Sequence, residues 1–242
     1  MVQIFKKEIN SFLNSIIAYI VISVFLIAIG LFMWVFPDSS VLSYGFADMD
    51  TLFSLGPYVL MFLVPAITMR MFAEEKKSGT MELLLTKPLT DYQIIFGKFL
   101  AGFALVFFSI APTIIYYFSI YSLGNPPGNI DTAGIIGSYT GLLLLGMIFT
   151  SIGLFASSLN DNQVVSFITA IFLCFIIFSG FDYMTALINQ GSMASLVEKI
   201  GILYHYHFLS KGLIDLGNVV YFISVTALMI LLTKFVLSSR KW

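Results

Sequence analysis

Few side chains in this sequence have the type and spacing for chemistry, and those few argue against catalysis. His205 and His207 are the only histidines. On a helix, positions two apart face different sides, and no acidic or thiol group is spaced to complete a metal site with them. Interfacial packing is the reading they support. Cys174 stands inside an apolar run and has no partner cysteine, so neither a disulfide nor a metal cluster follows. Gly97-Lys98 has the ending of a phosphate-binding loop, but Phe99 follows where Ser or Thr is required and no matching glycine precedes it. We find no arrangement for acid–base or nucleophilic catalysis. The chain is therefore expected not to be an enzyme and to hold no metal or cofactor of its own, and no nucleic-acid partner is expected.

The other chemically loaded stretch is Met71 to Lys98, MFAEEKKSGTMELLLTKPLTDYQIIFGK, a long polar interruption rich in both charge signs. It interrupts a chain of 242 residues that is 59% hydrophobic, 16% aromatic and only 10% charged. So little polar surface cannot cover a water-soluble globule of this size, and an integral membrane protein is expected. The first apolar run, Ile16 to Phe36, is long enough to cross a bilayer and lacks a small-residue cleavage signature, which argues against a cleaved signal peptide.

The elements that must position the charged stretch follow from the hydropathy pattern, which predicts an all-α membrane protein. Val2, Phe5, Ile9 and Phe12 fall on one helical face, with Lys6, Lys7, Glu8 and Asn10 elsewhere, so residues 1–13 read as an amphipathic elbow helix on the membrane surface. Six spans are expected at 14–36, 52–72, 94–121, 133–157, 164–181 and 219–237. Pro65 removes a hydrogen bond to the carbonyl of Met61, and Pro112 breaks the third span beside Ser109 and Thr113, whose hydroxyls are placed to satisfy freed backbone groups. Gly134, Gly137, Gly141, Gly146 and Gly153 give the fourth span close helix approach, read as ordinary intramembrane packing. Asn14, Thr150, Ser151, Ser166 and Thr169 read mostly as interhelical hydrogen-bonding groups. No ionisable residue stands near the middle of a span, which argues against an ion-coupled carrier. Residues 182–218 are too polar to cross and too apolar for a plain loop. A re-entrant or interfacial helix is expected there, with Ser195 and Glu198 as a capping box and Gly212 as a stop.

Basic residues set the orientation. With the N-terminus inside, Lys6, Lys7, Arg70, Lys76, Lys77, Lys87, Lys98, Lys234, Arg240 and Lys241 gather at the inner boundary, and only Lys199 and Lys211 fall outside. That imbalance predicts both termini in the cytoplasm, with Lys98 and Lys234 snorkelling to the inner boundary. The charged loop, 73–93, is then cytoplasmic. Thr80 is placed to cap a short helix carrying Glu82 in its first turn, Met81, Leu84 and Leu85 share a face, and Pro88 stops it. Thr90 and Gln93 form a second capping box opening the third span. A helix this short is marginal alone and needs something to pack against. A solvated hairpin tip, with charges serving orientation only, is the competing reading.

The segment AEEKKSGTMELLLTKPLTDYQIIFGKFLAG resembles that of permease subunits of ABC-2 type transporters, which carry an acidic pair, Gly-Thr, Glu-Leu-Leu, Pro and Gly-Lys in this order between spans two and three. Here these are Glu74, Glu75, Gly79, Thr80, Glu82, Leu83, Leu84, Pro88, Gly97 and Lys98. The later run with His207, Phe208, Gly212, Asp215, Tyr221 and Phe222 is similar to the family as well. Within the family the chain resembles the gliding-motility-associated permease subunits of gliding Bacteroidetes. The resemblance implies a subunit of the bacterial inner membrane whose loop, through Glu74, Glu75, Gly79, Thr80, Met81, Glu82, Leu83, Leu84 and Pro88, docks as a coupling helix on a separate ABC ATPase. That partner would bind ATP and Mg, and the permease would pair in the lipid with a second copy or a related membrane subunit. Export of another cargo, such as a drug, lipid, polysaccharide or maturation factor, and a membrane scaffold that transports nothing, are the alternatives.

Overall fold

The computed structural model describes residues 1–85, 89–187, 192–213 and 215–239. Among them every regular element is helical. Helix α1 (Val2–Leu13) lies against the bundle and hands over to α2 (Ile16–Trp34), whose N-cap Ser15 accepts from the Ile17 N–H. A short α3 (Val41–Tyr44) precedes α4 (Asp50–Thr68) and α5 (Arg70–Lys77), which join at Met69 into one long helix. The second long helix thus runs to Lys77, beyond the Phe72 at which hydropathy alone ends it, because Glu74 and Glu75 belong to helical turns rather than to a loop. Next come α6 (Thr80–Leu85) and α7 (Asp91–Ile110). Helix α7 opens on the expected capping box: the Thr90 hydroxyl accepts from the Gln93 N–H, and the Gln93 side chain accepts from the Thr90 N–H.

At Pro112 the helix tightens into a 3₁₀ turn, Ala111–Thr113, and resumes as α8 (Ile114–Leu123). Pro112 frees the Phe108 carbonyl, but the neighbouring hydroxyls go elsewhere: Ser109 donates to Leu105 and Thr113 to Ile110. Neither hydroxyl reaches the freed carbonyl; that of Thr113 bonds within the 3₁₀ turn, to the residue just ahead of it. In contrast, α4 passes through Pro57 and Pro65 without ending, since each proline removes a single bond. The chain continues as α9 (Thr132–Leu159), α10 (Gln163–Phe175), a π-helical turn over Ile176–Gly180, α11 (Phe181–Leu187), α12 (Ser192–Ile200), α13 (Ile202–Ser210) and α14 (Leu216–Ser238). Among the described residues, six helical segments are long and apolar enough to cross a membrane: Ile16–Trp34, Asp50–Lys77, Asp91–Leu123, Thr132–Leu159, Gln163–Ala186 and Leu216–Ser238.

Helix α9 is the axis of the bundle and the most deeply buried of the six. Apolar burial gains little between helices that already sit in hydrocarbon, so close packing must hold them. Glycines make that contact here. A Cβ at Gly153 would come within 1.9 Å of Thr68 Oγ1, one at Gly146 within 2.7 Å of Val106, and one at Gly137 within 2.6 Å of the Gly212 Cα. Gly212, at φ 77°, ends the turn after α13 as expected of a stop. Ser195, however, lies inside α12, which begins at Ser192, rather than ahead of its first turn. Helix α13 is inserted deeply, with Leu209 against Gly141 and the buried Tyr206 hydroxyl donating to the Phe53 carbonyl at 2.6 Å.

Candidate functional site

The charged stretch converges on one side chain. Lys98, expected to snorkel outward, is instead 1% exposed, because α1 is laid across the position it would have to leave by. Its ammonium donates to Glu8 Oε1 at 2.8 Å and to the Met71 carbonyl at 2.6 Å, and it lies 2.9 Å from Glu75 Oε1. Lys7 closes the group at 2.8 Å from Glu75 and 3.6 Å from Glu8. Lys98 and the two carboxylates are nearly buried, where an unpaired charge would be very costly, and Lys7 balances the second carboxylate from the exposed rim. The cluster ties together α1, α5 and α7. Burial pulls the Lys7 ammonium down, but hydrogen bonding to Glu75 and the charges of Glu75 and Glu8 outweigh it, so its pKa stands above the ordinary 10.5.

Helix α1 is amphipathic, and the packing shows which of its faces meets the bundle. The face turned inward is Ile4, Glu8 and Phe12, at a spacing of four, while Val2 is 61% exposed. Glu8 looked like a polar-face residue because nothing local announces a lysine ninety positions later to receive it. Gly97 explains how α1 comes so close: a Cβ there would stand 2.9 Å from Ile4 and 3.2 Å from the Met1 carbonyl. Arg70 joins the same contact, its guanidinium 4.1 Å from the Phe12 ring centroid and its Nη1 donating to Ser15. At the other end of the chain, Lys234 lies 4.2 Å from the Tyr92 ring centroid.

Of the residues singled out in the loop, Glu74 is exposed and Glu75 buried on α5, and Gly79 makes the turn into α6 at φ 69°. Thr80 is the first residue of α6, and its hydroxyl donates back to the Glu75 carbonyl at 3.4 Å and hydrogen bonds with Ser78 at 2.9 Å. Met81 turns into the apolar cluster that holds Met71, Phe72 and Ile94, so α6 finds part of its packing within its own chain. Glu82 is exposed. Leu83 and Leu84 lie in α6, their side chains outside the described residues, as is Pro88.

Sequence reasoning missed Ser157. Its hydroxyl accepts from the N–H groups of Phe72 and Ala73 and donates to the Met69 carbonyl at 2.9 Å, across the join between α4 and α5. Beside it, the Lys76 ammonium donates to the Ser158 carbonyl. The end of α9 is thereby clamped to α5. The signal available was two serines closing a helix, which is too common to single out.

The histidines separate as expected. His207 is exposed, whereas His205 donates through Nε2 to the Lys199 carbonyl at 2.9 Å, hydrogen bonds with Asn218 at 2.7 Å and stacks on Tyr221 at 3.9 Å. His205 thus joins α12, α13 and α14. No group of three or more His, Cys, Asp or Glu side chains suited to a metal occurs among the described residues.

An all-helical, six-span bundle with a charge-locked surface helix defines a polytopic membrane component. Residues 37–238 match the family model described as ABC-2 family transporter protein, and the chain belongs to that family. It is a multi-pass membrane protein and a transmembrane component of an ABC-type transporter, a class that works with an ABC ATPase. No curated protein is similar enough to the chain to match it.

Proposed function

We propose that this chain is the permease subunit of an ATP-driven exporter of the inner membrane, coupled to a separate ATPase through residues 73–93 and working in gliding motility. The chain itself is no enzyme in this reading; ATP and Mg are bound by the partner. Both termini are cytoplasmic, and the permease pairs with a second copy or a related membrane subunit. The observation that carries the coupling is the placement of α6. It is bracketed by α5 and α7, and these are locked to each other and to α1 through Lys98. Displacement of α6 therefore reaches two spans and the surface helix together instead of being absorbed in a slack loop. The motility assignment rests on the resemblance, over nearly the whole chain, to the gliding-motility-associated permease subunits within the family.

The test is purification of the chain from its native membrane with whatever it retains, beside Glu82→Lys and Leu84→Asp variants. We expect the wild type to retain an ATPase, and both variants to insert and fold yet lose ATPase-driven transport and the gliding phenotype. Unchanged ATPase retention and phenotype in both variants would sink the coupling role. An intact coupling without a gliding defect would instead point to a different cargo.

A further inference from the structure

Beside the contact of Ile4 with Gly97, an apolar cleft of about 400 Å³ lies between α1 and α7. Val2 and Phe5 form one wall, Leu100, Phe103, Phe107 and Phe108 form the other, and no polar side chain lines it. We propose that this cleft is a lipid site: it takes one acyl chain of an anionic phospholipid from the leaflet on which α1 lies, with the headgroup phosphate beside Lys6. The inference stands apart from the coupling reading above and does not need it.

Three observations select this occupant. The first is length. From Gly97, where α1 touches it, to Phe108, α7 rises about 16 Å, close to the roughly 15 Å that one leaflet contributes to a hydrocarbon core about 30 Å thick. The second is the surface the cleft offers. Helices in lipid pair through small residues that let backbones approach, whereas four phenylalanine rings line this cleft and Ala104 is the one small residue among its lining. A flexible chain fits between rings that would hold a second helix off. The third is charge. Lys7, Lys98, Glu8 and Glu75 sum to no net charge in their cluster. Lys6 is exposed, stands four positions after Val2 and so on the same side of α1, and makes no hydrogen bond or ion pair with the described residues. The rim of the cleft thus carries a surplus positive charge, which an anionic headgroup balances and a zwitterionic one, bringing its own cation, does not. A chain seated here fills the angle between α1 and α7, so the lipid bears on the same seam as the Glu8–Lys98 pair.

Tryptophan quenching in the reconstituted full-length chain tests this. In a Trp34→Phe, Trp242→Phe background, Phe103→Trp places a reporter in the cleft, and Phe172→Trp places one on the exposed face of α10. Phe108→Trp, at a ring 53% exposed, repeats the cleft measurement at a position that a larger ring does not crowd. The vesicles are mixtures of phosphatidylglycerol and phosphatidylcholine, one of the two brominated in its chains. We expect phosphatidylglycerol to compete for the cleft reporters about fivefold better than phosphatidylcholine, as one lysine at the surface favours an anionic lipid, and the two lipids to compete equally at Phe172→Trp. Lys6→Gln should abolish the preference and leave quenching by brominated chains in place. Equal competition at the cleft and at α10, or a preference that Lys6→Gln leaves intact, overturns the site. Cleft reporters that neither brominated lipid quenches would show a protein surface covering the cleft, and overturn it as well.

Discussion

The ammonium of Lys98 sits 2.8 Å from the carboxylate of Glu8, and the two residues are ninety positions apart in the chain. Through this contact the surface helix becomes part of the bundle. A lysine near the end of an apolar run would otherwise reach outward to water.

Breaking this pair leaves a buried charge without its partner. Lys98→Met is expected to destabilise the chain by about 3–5 kcal/mol, as removal of one member of a buried ion pair does. Lys7→Ala, at a side chain 58% exposed, should cost at most about 1 kcal/mol. Thermal unfolding of the two variants in the same detergent measures the difference. Equal losses would show that Lys98 does not hold the cluster.

Close approach along α9 sets the next expectation. Gly153→Ala forces a methyl group to within 1.9 Å of Thr68 Oγ1, and Gly137→Ala drives one into the Gly212 backbone. Each should cost about 1–3 kcal/mol or more. Gly180→Ala, whose nearest neighbour stands at 3.4 Å, serves as the tolerated control. Folded yield and melting temperature report all three.

Ser157→Ala removes the acceptor of two buried N–H groups and the donor to the Met69 carbonyl. An unsatisfied buried group costs about 1–3 kcal/mol. The loss should be local, seen as faster hydrogen exchange at Phe72 and Ala73 with slower effects elsewhere. Unchanged exchange there would mean that the hydroxyl is not what holds the join.

The loop before α4 offers a pH signature. Burial pushes the Asp48 carboxyl above its ordinary 3.8; the bond it accepts from the Asp50 N–H opposes this, and the Asp50 charge adds to it. For a group whose folded pKa is raised, its contribution is fully present below the unfolded value and is lost as pH rises through the folded one. Asp48→Asn should therefore raise stability at pH 7 and leave it unchanged at about pH 3. Melting curves at both values check the sign; a variant less stable at pH 7 contradicts it.

Alkaline titration tests Lys7 in the opposite range. Its raised pKa means that its contribution holds below 10.5 and fades as pH climbs past the folded value. Solvent exposure keeps the effect small and salt-sensitive. Lys7→Met should flatten the alkaline arm of the stability curve, measured at low ionic strength.

What the sequence determined by itself was set by local and periodic signals. Apolar runs long enough for a bilayer produced six helices, because a lipid-exposed backbone must satisfy its hydrogen bonds within the segment. Thr90 and Gln93 made their capping box from residues three apart, and Gly212 made its stop. The charged stretch was visible for the same reason, as local contrast. Tertiary structure decided what those charges do. Lys98 could be seen near a boundary, but Glu8 and Glu75 come to it from other helices, and only the packing of α1 over Gly97 seals the three together. Ser157 likewise acquires its role only because Gly153, one turn earlier, lets α9 touch Thr68 and so brings the hydroxyl to the join at Met69. Such contacts join residues far apart in the chain and leave no period to read, so they exist only once the helices have packed.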